Sequence, residues 1–155
     1  MRFPMTPRGH LALKRELREC KAERPKLAEI ILVARELGDI SENADYDAAK
    51  ERQAFLEGRI IELESKIAQA DVIDPGALSG DRVAFGATVE LEEVDSGETK
   101  TYQIVGQDEA DVKKGMISIT SPVARGLLKH EVGDEVVVNV PGGQRTYEIV
   151  NVSFG

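Results

Sequence analysis

From Leu13 onward, apolar residues recur in alternating steps of four and three: Leu13, Leu17, Cys20, Leu27, Ile31 and Ala34, with Arg24 on the same line. This spacing keeps one stripe along an α-helix and is the heptad pattern of helices that pack on one another. A second stripe runs through Tyr46, Ala49, Gln53, Leu56, Ile60, Leu63, Ile67 and Ala70. Thr6-Pro7 marks the start of the first helix. A threonine oxygen can accept from the free amides of the first turn, and proline at the first helical position gives up no needed donor. Pro25 lies inside that helix, and its missing N–H predicts a kink or a loosened turn. Gly38 offers a stop, and Gly58 weakens the second helix locally. The short link between the stripes implies antiparallel neighbours. Aligned about it, Leu27 faces Leu56, Cys20 faces Leu63, and Leu13 faces Ala70. Helices of this length predict a hairpin roughly 45 Å long. A single seam buries only part of each helix, so the pattern predicts an arm anchored on a separate body. A dimerisation or structural arm and a functional probe both fit such a hairpin.

The heptad ends at Asp71-Val72-Ile73-Asp74-Pro75-Gly76, where proline and glycine enter and alternation replaces it. This sets two domains, 1–75 and 76–155. In the second, Val83, Phe85, Ala87, Val89 and Leu91 alternate with smaller or polar residues, which predicts one strand. Asp95-Ser96-Gly97-Glu98 reads as a turn into a strand from Lys100 to Val105. Met116 to Thr120 reads as a third strand. Ser121-Pro122 opens a short helix, by the same logic of cap and first-position proline. Glu135 to Val140 and Arg145 to Val152 form a last hairpin across Pro141-Gly142-Gly143. The fold class is α+β: an N-terminal antiparallel coiled-coil hairpin and a mainly-β C-terminal domain with one short helix.

Charge narrows the partners. The 155 residues carry a formal net charge of −8. Residues 1–75 hold 13 basic and 15 acidic side chains, and residues 76–155 hold 7 and 13. Duplex DNA binding needs clustered Lys and Arg, so an acidic chain favours a protein partner or local basic patches. One cysteine, Cys20, excludes an internal disulfide and a cysteine zinc site, and fits a reducing compartment. The N-terminus lacks the apolar core of a signal peptide. No apolar run is long enough to span a membrane.

The densest candidate chemistry is Glu36-Leu37-Gly38-Asp39-Ile40-Ser41-Glu42-Asn43-Ala44-Asp45-Tyr46-Asp47, with five carboxylates and no basic residue, at the turn of the hairpin. Two readings stay open. Asp39 and Glu42 are spaced as a capping box, with Ser41 as an alternative cap, and Asp45 and Asp47 suit the positive end of a helix. The same two carboxylates are also half of a Mg²⁺ site. Mg²⁺ takes oxygen ligands, often one or two carboxylates plus waters and phosphate oxygens, so a partner would complete it. Tyr46 is expected to pack near the tip, with a hydroxyl placed to orient a carboxylate. The other charges of the arm interleave as a salt-bridged surface. Arg35 and Lys50 flank the acidic turn and, with Arg52, are candidates for contacting a phosphate chain. His10 and His130 lack ligand spacing, and no nucleophile elbow, P-loop or dinucleotide fingerprint is present.

Met5-Thr6-Pro7-x-Gly9, Glu23-Arg24-Pro25, Ala34-Arg35-Glu36 running through Gly38-Asp39-Ile40-Ser41-Glu42-Asn43-Ala44-Asp45-Tyr46, and Gly58-Arg59-Ile60 resemble the GreA/GreB family of bacterial transcript cleavage factors. So do Phe85-Gly86-Ala87-Thr88-Val89, Asp108-Glu109-Ala110-Asp111 and Ser121-Pro122-Val123-Ala124-Arg125-Gly126-Leu127. The resemblance covers essentially the whole chain, and the acidic balance lies nearer the GreA side of the family. It implies a C-terminal domain similar to the FKBP fold, without the aromatic pocket of a prolyl isomerase. It also implies binding to RNA polymerase at the secondary channel. The residues matching Asp39 and Glu42 hold a second Mg²⁺ at the polymerase active site and help position the attacking water. Ser41, Asn43 and Tyr46 support that geometry. The resemblance further implies that the nascent RNA 3′ end of a backtracked complex is the substrate, and that the chain stimulates the polymerase's own cleavage rather than acting as an enzyme. Ser121, Pro122, Arg125, Gly126 and Leu127 fall in the polymerase-docking segment. The family also contains non-catalytic inhibitors of the same channel, which is the alternative reading. A cytoplasmic bacterial protein, monomeric when free and without membrane contact, is expected.

Overall fold

The computed structural model describes residues 2–36 and 44–155. Contacts divide the chain into two compact units, Leu11–Gln69 and Met1–His10 together with Ala70–Gly155.

Helix α1 spans Pro7–Glu36 and α2 spans Ala44–Ala68. The Thr6 hydroxyl accepts from the Gly9 amide at 3.2 Å, so the expected cap is present. Seam residues Leu13, Leu27, Ile31, Ala34, Ala49, Leu56, Ile60 and Leu63 are buried. Leu27, Leu56 and Ile60 form a cluster against which Leu17 and Cys20 pack, as the antiparallel alignment requires. α1 continues through Pro25 as one helical element rather than breaking there. Charged pairs cross between the helices on both sides of the seam: Glu16 with Arg59, Glu23 with Arg52, Arg24 with Glu57 and Lys21 with Glu64. Along each flank the partner number falls as the other rises, from Glu16–Arg59 to Glu23–Arg52 on one side and from Lys21–Glu64 to Arg24–Glu57 on the other, which is the signature of antiparallel pairing.

The hydrogen bonds from Arg59, Arg52 and Arg24 hold the carboxyls of Glu16, Glu23 and Glu57 below the ordinary glutamate value of 4.5. A carboxyl depressed on folding contributes stability above its unfolded value, and loses it as pH falls through the folded value. The melting temperature of the helical signal is therefore expected to be level above pH 4.5 and to drop as acidification proceeds below it. High salt is expected to lower it modestly at neutral pH, because the pairs are largely exposed. Circular dichroism melts across pH and salt check both.

In the second unit, a five-stranded sheet has the order β5-β4-β3-β7-β6. Its strands are β3 (Thr88–Glu93), β4 (Thr99–Val105), β5 (Met116–Ser118), β6 (Glu135–Val140) and β7 (Gly143–Ser153). Both predicted hairpins form: β3 pairs antiparallel with β4, and β6 with β7. β5 instead joins β4 in parallel. The strand expected from Val83 is shorter than its alternation suggests, because Gly86 takes a left-handed φ of 85°. The Ala87 amide there closes a turn on Ala84 O at 3.0 Å. Val83 and Ala87 are nevertheless core residues, with Val89, Leu91, Ile104, Leu127, Val138 and Ile149. Helix α3 (Pro122–Leu127) is capped by the Ser121 side chain, which accepts from the Ala124 amide.

One element has no counterpart in the sequence reading. β1 (Phe3–Met5) and β2 (Ala70–Val72) form a small parallel sheet. Next to it, the Glu109 carboxylate accepts from the Thr6 amide at 3.0 Å, the Gly106 amide at 2.9 Å and the Thr6 hydroxyl. It therefore sits at the start of α1, where a negative charge is favoured. Gly9 leaves room for it: a Cβ at that position would meet the carboxylate at 2.2 Å. Gly9→Ala is expected to displace Glu109 and cost about 2 kcal/mol, because charge-assisted bonds and a partly buried carboxylate are both disturbed. Urea unfolding of this variant beside wild type measures it.

Candidate functional site: the hairpin tip and the α3 segment

In sequence, the acidic stretch joins the end of α1 at Glu36 to the start of α2 at Ala44. Asp39, Ser41, Glu42 and Asn43 lie outside the described residues, so the geometry begins at the flanks. The seam is closed near the described ends of both helices, with Ala34 only 4% exposed and Ala49 6%. Arg35 lies in the last turn of α1, and Asp45 and Asp47 lie in the first turn of α2. Each charge has the sign that its helix end favours. All three side chains are exposed, and Tyr46 is half-buried. Among the described residues, no group of three His, Cys, Asp or Glu side chains is placed to hold a metal ion.

The three RNA-contact candidates differ. Arg35 and Lys50 are exposed, and the Lys50 ammonium donates to Gln53 Oε1 at 3.3 Å. Arg52 is occupied. Its Nε donates to Glu23 Oε2 at 2.7 Å and its Nη2 to Glu23 Oε1 at 3.0 Å. Its guanidinium also lies 5.2 Å from the centre of the Phe55 ring, within cation–π range.

Beside the turn, Leu27, Ile30, Val33, Ala34, Ala48 and Ala49 line an open groove of about 650 Å³. Ile30 and Val33 are about half exposed in it, at 49% and 53%.

The α3 segment divides by direction. Pro122 and Arg125 are exposed. The Ser121 hydroxyl is used as the helix cap, and Leu127 is fully buried. Gly126 lets α3 approach β6, since a Cβ there would lie 2.8 Å from Val138 Cγ1. Val138 is β-branched and fully buried, so it has little freedom to retreat. Gly126→Ala is expected to destabilise the β unit by about 1–3 kcal/mol through overpacking. Chemical unfolding followed by near-ultraviolet tyrosine signals reads this out.

The sequence reading treated the arm's charges as a general salt-bridged surface and did not assign partners. Glu16 and Glu23 are one heptad apart, and so are Arg59 and Arg52. That spacing was the available signal for two matching rungs of a ladder. Glu109 has a local partner in the Gly106 amide, but its role at the start of α1 had no local signal, because Thr6 lies 103 positions away.

Comparison with known proteins places both parts of the chain. Residues 3–72 match the family model described as transcription elongation factor, N-terminal, and residues 78–154 match transcription elongation factor, GreA/GreB, C-term. The chain is 58% identical over 154 residues to transcription elongation factor GreA of Mesorhizobium japonicum, covering 99% of this chain and 98% of that protein. It is 56% identical over 154 residues to the GreA of Beijerinckia indica, with the same coverage. Among solved structures, GreA factor homolog 1 (Gfh1) of Thermus thermophilus is similar at 30% identity and a TM-score of 0.45, covering 98% of this chain and 99% of that one. Among the described residues, no helix is long and apolar enough to cross a membrane.

Proposed function

Because the chain belongs to the GreA/GreB family of transcription elongation factors, we propose that it stimulates RNA polymerase to cleave the nascent RNA of a backtracked complex. The observation that carries this reading is the occurrence of Asp39 and Glu42, three apart in the sequence, between two helices whose seam is packed up to Ala34 and Ala49. Delivery of side chains into a channel requires helices held together close to the acidic segment, and burial of Ala34 and Ala49 supports this.

Two carboxylates suit Mg²⁺, a hard cation that accepts a few protein oxygens and fills its remaining positions from water and phosphate. Asp39 and Glu42 would hold the ion together with donors of the polymerase, where it supplies Lewis-acid activation of a water near the scissile phosphate. Ser41, Asn43 and Tyr46 support the turn that presents them. Arg35 and Lys50 are exposed on the helices that flank the turn and meet the RNA phosphates. On the β unit, Pro122 and Arg125 offer the exposed part of a docking surface on the polymerase. Ser121, Gly126 and Leu127 hold α3 in the position that presents it. The chain supplies half a site, and the polymerase carries out the hydrolysis.

The test is to add the protein to a stalled, backtracked polymerase with Mg²⁺ and follow RNA length. Shortened RNA that resumes elongation is expected. Suppressed nucleotide addition with full-length RNA would instead make the chain an inhibitor of the channel.

A further inference from the structure

We propose that Arg52 is a positioning residue: paired with Glu23, and with the neighbouring Arg24–Glu57 pair, it locks the hairpin at Pro25 and so fixes where the tip lies. The functional half of this inference rests on the cleavage activity proposed above.

Pro25 has no N–H, so the carbonyl of Lys21, one turn earlier, lacks its helical donor. α1 therefore lacks one backbone bond at this turn, and residues 26–36 of the helix lie beyond it. The two residues just before Pro25 both reach across to α2. Glu23 receives Arg52 through two bonds at 2.7 and 3.0 Å. Arg24 donates to Glu57 through two bonds at 2.8 and 2.7 Å. Adjacent helical residues point about 100° apart at 3.6 residues per turn, so the two forks grip α2 from different sides of α1. Bidentate Arg–carboxylate pairs add geometric specificity beyond charge, because both planes must align.

The ladder also has an end. Glu23–Arg52 repeats Glu16–Arg59 one heptad further along, since 23 − 16 and 59 − 52 are both 7. The next step of seven toward the turn pairs Ile30 with Asp45, which cannot form a rung. There the apolar groove opens instead. Among the described residues, Glu23–Arg52 is thus the last rung of this heptad series toward the acidic segment. Exposed ion pairs contribute little stability one at a time. The effect expected here is on register at a turn with a missing bond. An arginine with Nε and Nη2 both committed to one carboxylate is also poorly placed to bind a phosphate.

The experiment compares full-length wild type, Arg52→Glu, Glu23→Arg and the double exchange in cleavage of backtracked RNA. Amide exchange of residues 26–36 is measured in the free proteins. Each single variant is expected to slow cleavage about tenfold, since small displacements of reacting groups carry large rate penalties. Each is also expected to speed amide exchange beyond Pro25. The double exchange restores the pair with reversed polarity and is expected to recover both. The positioning role is overturned if the double exchange stays as slow as Arg52→Glu while Glu23→Arg alone cleaves normally, which is the pattern of direct RNA contact. It is equally overturned if neither single variant changes amide exchange. If wild type itself cleaves nothing, the cleavage reading fails on its own, and amide exchange still decides whether the pair locks the turn.

Discussion

Exchanging Asp39 for asparagine and Glu42 for glutamine is expected to slow RNA cleavage about 100-fold or more, since metal-site residues carry effects of at least this order. The same double variant is expected to keep its melting temperature and its affinity for polymerase. The choice of amides matters. Asparagine caps a helix about as well as aspartate, and glutamine serves in a capping box as glutamate does. If these residues only start α2, the variant works normally. If their charges hold Mg²⁺, it folds normally and fails in cleavage. Alanine would not separate the two, because it removes cap and charge together. The measurements are the rate of RNA shortening, a thermal melt and a binding titration on the same preparations. Undiminished cleavage with intact binding contradicts the metal role.

Leu56→Ala is expected to destabilise the hairpin by about 2–5 kcal/mol, the range for truncating a buried leucine. Leu56 is 1% exposed and sits in the cluster with Leu27 and Ile60. A two-helix unit has no second layer to collapse into the space left behind, which argues for the upper part of that range. Ile61 lies five residues further along the same helix and is 69% exposed. Ile61→Ala is expected to change stability by no more than about 0.5 kcal/mol, as exposed positions usually do. Urea unfolding at the helical circular dichroism band compares the pair. Equal losses at both positions would mean that the heptad seam does not hold the hairpin. A large loss at Leu56 should also lower cleavage, because a frayed hairpin no longer fixes its turn.

The seam was legible because heptad spacing repeats through both helices, so each residue confirms its neighbours. Leu27 against Leu56 could be aligned from the turn alone. The cap of α3 was legible from Ser121-Pro122, whose chemistry is local. What escaped was set by distant partners. β1 and β2 are three residues each and pair across 67 positions, from Phe3 to Ala70. Strands that short carry no periodic signal, and Pro4 argued against one. The alternation from Val83 was real as burial but wrong as a continuous strand, because Gly86 turns the chain while leaving Val83 and Ala87 in the core. The parallel placement of β5 depends on the path through residues 106–115, which has no repeating pattern. In the candidate site, the acidic stretch stands out in the sequence, while Asp39 and Glu42 lie outside the described residues. The difference between Arg52 and its neighbours Arg35 and Lys50 was not, since only the packed hairpin sets Glu23 opposite Arg52.

The most direct test of tip carboxylates completing a metal site is the Mg²⁺ dependence of cleavage with wild type, Asp39→Asn and Glu42→Gln on the same backtracked complex. Loss of one ligand is expected to raise the half-saturating Mg²⁺ concentration by about 10- to 100-fold, with part of the rate returning at high Mg²⁺. A half-saturating concentration identical to wild type in both variants, whatever the maximal rate, would contradict it.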